Sequence, residues 1–226
     1  MKYYPVFLKL NAKKAVVIGG GKIAERKAHV LIKAGASVKI ISPAITKPLE
    51  RLKKKGLLAH VKRNYRKGDL KDAFIVIAGT SSVKTNSKIA RDARYLGIPE
   101  SVPGHRNNDP LLVNIIDTPS EGNFIAPSIV KRGPLTIAIS TAGCSPAVSK
   151  TIRKELEKLY GKEFTYYLRL LEKIRKKAMK EIKNDRKREE FLKKLASEKI
   201  FNTLRRKGPA GLSRLIHHRF KAGIPG

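Results

Sequence analysis

The sequence predicts an α/β protein in which an N-terminal parallel sheet is followed by a small β segment and a C-terminal helical domain. Over residues 15–97, short apolar runs alternate with segments of helical periodicity, which is the pattern of βαβ units. From residue 113, short apolar runs follow one another with only Pro- and Gly-containing stretches between them. From residue 148, the pattern becomes helical and strongly basic. These observations set the order of the elements.

The first βαβ unit has the clearest pattern. Residues 15–20, AVVIGG, form an apolar run typical of a buried strand, and residues 22–35 have apolar positions at helical spacing before Gly35. Residues 37–42, SVKIIS, predict a second buried strand. The same reasoning predicts, in order, a helix over 45–56, strands over 57–65 and 73–80, a helix over 83–97, and short β runs over 111–117, 123–130 and 135–141. Basic helices are predicted over 147–161, 163–183 and 187–208.

The composition excludes several classes of protein. No apolar run is long enough to span a bilayer and the N-terminus lacks the apolar core of a signal peptide, so we expect a cytoplasmic protein with no membrane partner. The single cysteine, Cys144, excludes an internal disulfide, and the 5 histidines show no metal-ligand spacing apart from the adjacent pair His217 and His218 near the C-terminal end of the sequence. The 50 Lys and Arg against 18 Asp and Glu, a formal net charge of +32, predict an acidic ligand or partner. Because no nucleic-acid-reading motif accompanies this charge, nucleic-acid binding is kept only as an alternative.

Three consecutive glycines follow the first strand and precede the first helix. The spacing Gly19-x-Gly21-x-x-Ala24 fits the G-x-G-x-x-G/A fingerprint of Rossmann-type dinucleotide-binding sheets. Glycine permits the tight turn and lets a phosphate approach the backbone amides at the helix N-terminus. The acidic residue expected about 20 positions later is absent, because residues 41–43 at the end of the second strand are Ile, Ser and Pro. Ser42 or the backbone would then bind the ribose, and the choice between NAD and NADP stays open.

Several longer motifs extend over about residues 1–160. They are PVFLKL at 5–10, VIGGGKIAERK at 17–27, GASVKIISP at 35–43, NIIDTP at 114–119, NFIAPSIVKRGPL at 123–135 and AISTAGCSP at 138–146. With these motifs the sequence closely resembles the precorrin-2 dehydrogenase family, the dehydrogenase and ferrochelatase part of siroheme synthases. Beyond this region only the helical character agrees with the family.

The resemblance implies an NAD-dependent enzyme that removes a hydride and a proton from precorrin-2 and so produces sirohydrochlorin. In some members of the family the same site also inserts Fe²⁺ to give sirohaem, so that iron would be a substrate and no bound metal is expected. The predicted domains are a Rossmann-type NAD-binding domain at 1–112, a β segment at 113–147 and a helical domain at 148–226. The family is dimeric, and we expect the β segment to pair with a second subunit because its short runs would leave exposed edges in a monomer.

The resemblance also implies roles for individual residues. Asp117 aligns with the family's catalytic aspartate and would take protons from the macrocycle; without the resemblance, a turn-forming role would be the simpler interpretation. Thr141 and Ser145 would bind substrate, and the alternatives are a hydroxyl-stabilised turn and a helix N-cap. The implied cofactor-binding residues are Gly19, Gly21, Lys22, Ile23, Ser42, Pro43, Ala44 and Thr80.

The sequence departs from the family in two places. Family members usually have acidic residues where this chain has Ser81 and Ser82, which leaves the adenosine contacts open. Residues 99–112 form an insertion that we expect to be a surface loop near the active face, with a lid that uses His105 and Arg106 as the alternative. A non-catalytic, nucleotide-sensing regulatory module is the other interpretation of the whole chain, and it predicts that Asp117 is dispensable.

Overall fold

The computed structural model describes residues 2–96 and 111–223. The chain divides into two compact units, Met1–Ala126 and Pro127–Gly226. Most of the predicted insertion at 99–112, including His105 and Arg106, lies outside the described residues. Within the described ranges, no helix has both the length and the apolar character that crossing a membrane requires.

The first unit is built on a parallel sheet with the strand order β3-β2-β1-β4-β5. The strands are β1 Lys14–Ile18, β2 Ser37–Ile41, β3 Leu58–Val61, β4 Ile75–Ala78 and β5 Leu112–Ile115. The helices are α1 Lys22–Lys33, α2 Lys47–Lys54 and α3 Val83–Leu96. Because β1 lies between β2 and β4, the order of strands reverses beside β1, and a crevice opens there at the carboxyl ends. This topology confirms the predicted Rossmann-type sheet.

The packing of β1 explains its unbroken apolar sequence. Ala15 and Val17 pack on one face of the sheet with residues of α1 and α2, whereas Val16 and Ile18 pack on the other face with residues of α3. None of these four side chains is more than 1% exposed. A strand that is covered by helices on both faces has no polar side, so its sequence does not alternate between polar and apolar residues.

The run predicted at 111–117 belongs to this parallel sheet, because β5 pairs with β4 in parallel register. The Asn123 side chain then fastens the following segment to β5. Its Oδ1 accepts from the Val113 N–H at 2.7 Å, and its Nδ2 donates to the Leu111 carbonyl at 2.8 Å. The chain therefore stays with the first sheet past residue 123. For this reason the structural division differs from the predicted one, and the predicted middle segment, 113–147, is shared between the two units.

The second unit contains a hairpin and the basic helices. Strand β6 Ser128–Arg132 pairs antiparallel with β7 Leu135–Ile139. The helices are α4 Pro146–Leu159, α5 Glu163–Glu181, α6 Asp185–Leu195 and α7 Glu198–Gly223. Helix α7 is interrupted at Gly208, which has φ 60° and ψ −168° and precedes Pro209. The core of this unit contains Phe164, Tyr167 and Phe201, whose rings meet edge to face.

The single helix predicted over 187–208 is divided in the structure. Helix α6 ends at Leu195, and α7 begins at Glu198. The last carbonyl groups of a helix have no partner within that helix. The hydroxyl of Tyr167, which is 2% exposed, donates to the Leu195 carbonyl at 2.7 Å. The interruption therefore leaves a buried acceptor that a buried tyrosine satisfies.

Candidate functional site

An open cleft of about 1110 Å³ lies at the carboxyl ends of the parallel strands. Its walls are the segments that follow the first four strands: residues 18–23, 41–46, 64–65 and 79–82. Asp117, which follows β5, also lines the cleft. Ligands of open α/β sheets bind at the carboxyl ends of the strands where the strand order reverses, so this cleft is the candidate site.

The three glycines of the turn have different surroundings. Gly19 has φ 118°, and a Cβ built on it would lie 2.4 Å from the Gly79 carbonyl oxygen. A Cβ on Gly20 would lie 1.9 Å from the Ala44 carbonyl oxygen. A Cβ on Gly21 would meet nothing within 4 Å. The first two glycines therefore allow neighbouring loops to approach the turn, while the third leaves a space that opens into the cleft.

The loop after β2 is fixed by its own hydrogen bonds. The Ser42 hydroxyl donates to the Ala44 carbonyl at 2.7 Å, and His60 Nε2 donates to the Ser42 carbonyl at 2.9 Å. The Thr46 hydroxyl donates to Glu25 Oε2 at 2.6 Å, which ties the loop to α1. The hydroxyl proton of Ser42 is therefore engaged within the loop, and its oxygen offers a ligand an acceptor.

The charges in the cleft suit an anionic ligand. Lys22 and Lys88 line it, and Asp117 has the only carboxylate among the described lining residues. The segment that follows β2 adds Ser42 to the lining of the cleft and adds no acidic residue. A negatively charged pyrophosphate placed beside the glycine turn would therefore meet cations and helix amides without an opposing carboxylate from β2.

Asp117 is exposed and is held by one buried side chain. Its Oδ2 accepts a hydrogen bond from Asn86 Nδ2 at 2.9 Å, and Asn86 is 1% exposed. The same amide accepts from the Thr80 hydroxyl at 2.8 Å. The structure thus brings the predicted catalytic residue and the predicted cofactor residues to one cleft, which is lined by Gly19, Gly21, Lys22, Ile23, Ser42, Pro43, Ala44, Thr80 and Asp117.

Thr141 and Ser145 lie in the second unit, at the start of α4. The Thr141 hydroxyl donates to the Ser145 carbonyl at 3.0 Å and accepts from the Ser145 N–H at 3.2 Å. Ser145 is the N-cap residue of α4, and its hydroxyl accepts from the Val148 N–H at 3.3 Å. Both hydroxyls therefore stabilise the turn into the helix, as the alternative interpretation of the sequence expects.

Several residues of the cleft have no counterpart in the sequence analysis. Asn64, Tyr65, Thr85 and Lys88 line it, and Asn86 lies behind Asp117. They follow β3 or lie in the first turns of α3, so the rule that ligands meet the carboxyl ends of parallel strands is the signal that could have found them. Burial and a hydrogen bond to Asp92 at 2.9 Å raise the pKa of Tyr65, which keeps its hydroxyl protonated.

In the part of the chain that the structure describes, no group of three or more His, Cys, Asp and Glu side chains is arranged to hold a metal ion. His60 is engaged by the loop after β2. Cys144 is exposed and has a free thiol. The cleft therefore contains acid–base and anion-binding groups, and its described residues include no cluster of metal ligands.

Comparison with known proteins relates this geometry to a family. A family model described as "Putative NAD(P)-binding" matches residues 6–128, and one described as "Sirohaem biosynthesis protein central" matches residues 132–159. The solved structure "SirC, precorrin-2 dehydrogenase" matches with a TM-score of 0.73 and 25% identity, over 96% of this chain and 100% of that one. The chain belongs to the precorrin-2 dehydrogenase family. The resemblance found in the sequence motifs is confirmed.

Curated relatives of this precorrin-2 dehydrogenase family member are longer proteins. A siroheme synthase from Nitrosomonas europaea is 34% identical over 182 residues, which cover 78% of this chain and 36% of the relative. A siroheme synthase from Pseudomonas paraeruginosa is 30% identical over 224 residues, 99% of this chain and 45% of the relative. The chain thus spans between about a third and just under a half of the length of these relatives.

Proposed function

We propose that this chain catalyses the NAD-dependent dehydrogenation of precorrin-2 to sirohydrochlorin in siroheme biosynthesis. The observation that carries the proposal is the presence of Asp117 in the same cleft as the glycine turn at 19–21. Dehydrogenation needs a hydride acceptor and a proton acceptor. The cleft offers a backbone suited to a dinucleotide and a carboxylate suited to the proton, and membership of the family supports the assignment.

The residues around the glycine turn fit a dinucleotide. Gly21 is the N-cap residue of α1, and no side chain caps the free N–H groups of that helix. The space that a Cβ on Gly21 would fill is open, so a pyrophosphate can approach those N–H groups. We assign the binding of NAD to Gly19, Gly21, Lys22, Ile23, Ser42, Pro43, Ala44 and Thr80. When bound, NAD⁺ supplies the hydride acceptor of the reaction.

Asp117 is the proposed proton acceptor. The oxidation transfers one hydride from precorrin-2 to NAD⁺, which becomes NADH, and releases one proton. An exposed carboxylate that lines the cleft can take that proton and return it to solvent. Positioned acid–base catalysis of this kind contributes about 10²- to 10⁴-fold to a rate.

We extend the proposal to Fe²⁺ insertion into sirohydrochlorin, with iron as a substrate. Insertion replaces two pyrrole N–H protons by the metal ion, so this step also needs a proton acceptor. The same carboxylate can serve, because the two reactions do not have to take place at once. The positive net charge of +32 favours a polycarboxylate macrocycle in both cases.

We assign substrate binding in the second unit to Thr141 and Ser145, and we propose that the chain forms a homodimer. The N-terminus of α4, where both residues lie, favours a substrate carboxylate. In the described structure β6 and β7 form a sheet of only two strands, so both strands have an unpaired edge. A two-stranded sheet is marginally stable alone, and pairing with a second copy would cover such an edge.

The decisive experiment measures NADH formation from precorrin-2 and NAD⁺ with the purified chain. We expect NADH to appear together with the absorption spectrum of sirohydrochlorin. Asp117→Asn should fold normally and bind NAD⁺ but lose about 10²-fold or more of its turnover. A second measurement on the same preparation adds Fe²⁺ to sirohydrochlorin and follows the spectrum of sirohaem.

The outcomes separate the competing interpretations. Binding of NAD⁺ without turnover by the wild-type chain would refute the dehydrogenase and favour the nucleotide-sensing module. Turnover that persists within about threefold in Asp117→Asn would remove Asp117 from its role, since a positioned base contributes far more than that. NADH formation without iron insertion would restrict the chain to the first reaction.

A further inference from the structure

The amide of Asn86 connects the loop after β4 with Asp117. Asn86 lies in the first turn of α3 and is 1% exposed. Its Oδ1 accepts from the Thr80 N–H at 3.2 Å and from the Thr80 hydroxyl at 2.8 Å. Its Nδ2 donates to the Thr80 carbonyl at 3.2 Å and to Asp117 Oδ2 at 2.9 Å. The side chain thus joins a loop that lines the cofactor cleft to the candidate proton acceptor.

These contacts use the full hydrogen-bonding capacity of an amide. Asparagine has two donor hydrogens and two acceptor lone pairs, and all four have a partner here. The orientation of the amide is also fixed, because only its NH₂ group can face a carboxylate and only its oxygen can face the Thr80 N–H. Aspartate in this place would keep the acceptor and lose the donor, and leucine would lose both.

We infer that Asn86 is a positioning residue that fixes the carboxylate of Asp117 relative to the loop after β4. This inference rests on the proposed function of the cleft. Asp117 is exposed, so packing constrains its side chain little, and the bond from the buried amide of Asn86 favours one of its orientations. Misplacement of a reacting group by about 1 Å can cost about 10²-fold in rate, so such a constraint matters for turnover.

Other contacts hold the same elements together without Asn86. The Ser87 hydroxyl donates to Glu121 Oε1 at 3.2 Å, which ties α3 to the turn that follows Asp117. The Ser82 hydroxyl accepts from the Thr85 N–H at 3.2 Å and so caps the start of α3. The bond from Asn86 to Asp117 is therefore not needed to bring helix and turn together. Ser87 provides a matched control on the neighbouring position of the same helix.

The test compares Asn86→Asp, Ser87→Ala and the double variant Asn86→Asp with Asp117→Asn. Asn86→Asp keeps the acceptor for Thr80 but replaces the donor at Asp117 by a second carboxylate oxygen. It also loses the donor to the Thr80 carbonyl, but it keeps both bonds that Thr80 donates. We expect kcat to fall roughly ten- to one-hundredfold, while KM for NAD⁺ changes less than about threefold because these two donated bonds still hold the loop after β4. Ser87→Ala should keep kcat within about twofold of the wild type, since it loses a single hydrogen bond, to Glu121, whose carboxylate lies outside the cleft.

The double variant separates positioning from structural support. It restores one donor and one carboxylate to the pair, with the two groups exchanged, so its melting temperature should return toward that of the wild type. Its turnover should stay as low as that of Asp117→Asn, because the carboxylate now lies in the buried position.

Three results would overturn the inference. One is an Asn86→Asp variant with wild-type kcat in a preparation where Asp117→Asn is inactive, which would leave the dehydrogenase proposal intact. Another is a loss of kcat in Ser87→Ala equal to that in Asn86→Asp, which would indicate a purely structural effect. A fall in activity of Asn86→Asp that lies entirely in KM for NAD⁺ would place the residue in cofactor binding alone. Absence of turnover in the wild-type chain would instead refute the proposed function together with the inference.

Discussion

Replacing Gly21 by alanine should leave the stability of the chain almost unchanged and weaken dinucleotide binding by one to two orders of magnitude. The added methyl group would meet no atom within 4 Å, and the backbone has φ −82° and ψ −175°, which alanine adopts without strain. The reduced entropy of the unfolded chain favours alanine by about 0.4–1 kcal/mol. Alanine is a poorer N-cap than glycine by a similar amount, so the two effects nearly cancel.

The effect of Gly21→Ala on dinucleotide binding follows from the open space beside Gly21. A methyl group there occupies the approach to the N–H groups of α1, so a pyrophosphate would lose one hydrogen bond to a charged group, about 1.5–3 kcal/mol. Since 1.4 kcal/mol corresponds to a factor of ten, Kd should rise roughly ten- to one-hundredfold. The fluorescence of bound NADH, excited in the absorption band of the reduced nicotinamide, measures this Kd.

Gly68→Ala is the matched control for this substitution. Gly68 lies in the 3₁₀ turn Lys67–Leu70, outside the cleft, and a Cβ there would also meet nothing within 4 Å. It should bind NADH as the wild type does. A Gly21→Ala variant that binds NADH within about twofold of the wild type would refute the placement of the pyrophosphate. A drop in melting temperature of more than about 5 °C would show instead that the site is not open.

Three further predictions concern stability. Gly19→Ala should destabilise the chain by about 2–5 kcal/mol in urea unfolding, because it combines φ 118° with a Cβ 2.4 Å from a backbone carbonyl. The Arg63 guanidinium, hydrogen-bonded to both oxygens of Asp69, holds the pKa of that carboxyl below its usual range. The ionised Asp69 carboxylate therefore stabilises the folded chain above about pH 4, and this stabilisation is lost as the pH falls through the lowered pKa. Asp69→Asn should accordingly be less stable by about 1–3 kcal/mol at pH 7, and its free energy of unfolding should depend less on acid pH in the same assay. Tyr167→Phe should cost about 1–2 kcal/mol by thermal unfolding, because it leaves the buried Leu195 carbonyl without its donor.

The sequence predicts the first sheet well because its signals are local. The apolar run at β1, the glycine turn and the helical spacing of α1 are adjacent in the chain, and together they define a βαβ unit. The place of β5 is a different matter. A short apolar run pairs equally well with a parallel or an antiparallel neighbour, and the partner of β5 is β4, which lies 34 residues earlier in the chain when Ala78 is counted to Leu112. Periodicity contains no information about such a distant partner.

In the candidate site, too, the residues that lie in local motifs can be predicted from the sequence, whereas those that depend on distant partners cannot. Gly19 and Gly21 are identifiable from their spacing, and Asp117 from the motif around it. Asn86 is 31 residues from Asp117 in the sequence, and nothing near it distinguishes it from any polar residue at the start of a helix. Its role depends on the parallel pairing of β4 with β5, which places their carboxyl ends side by side, so that the helix after β4 meets the turn after β5. The orientation of the proposed base is thus a property of the assembled sheet, and a substitution at Asn86, distant from the glycine turn in the sequence, should lower turnover while the dinucleotide still binds.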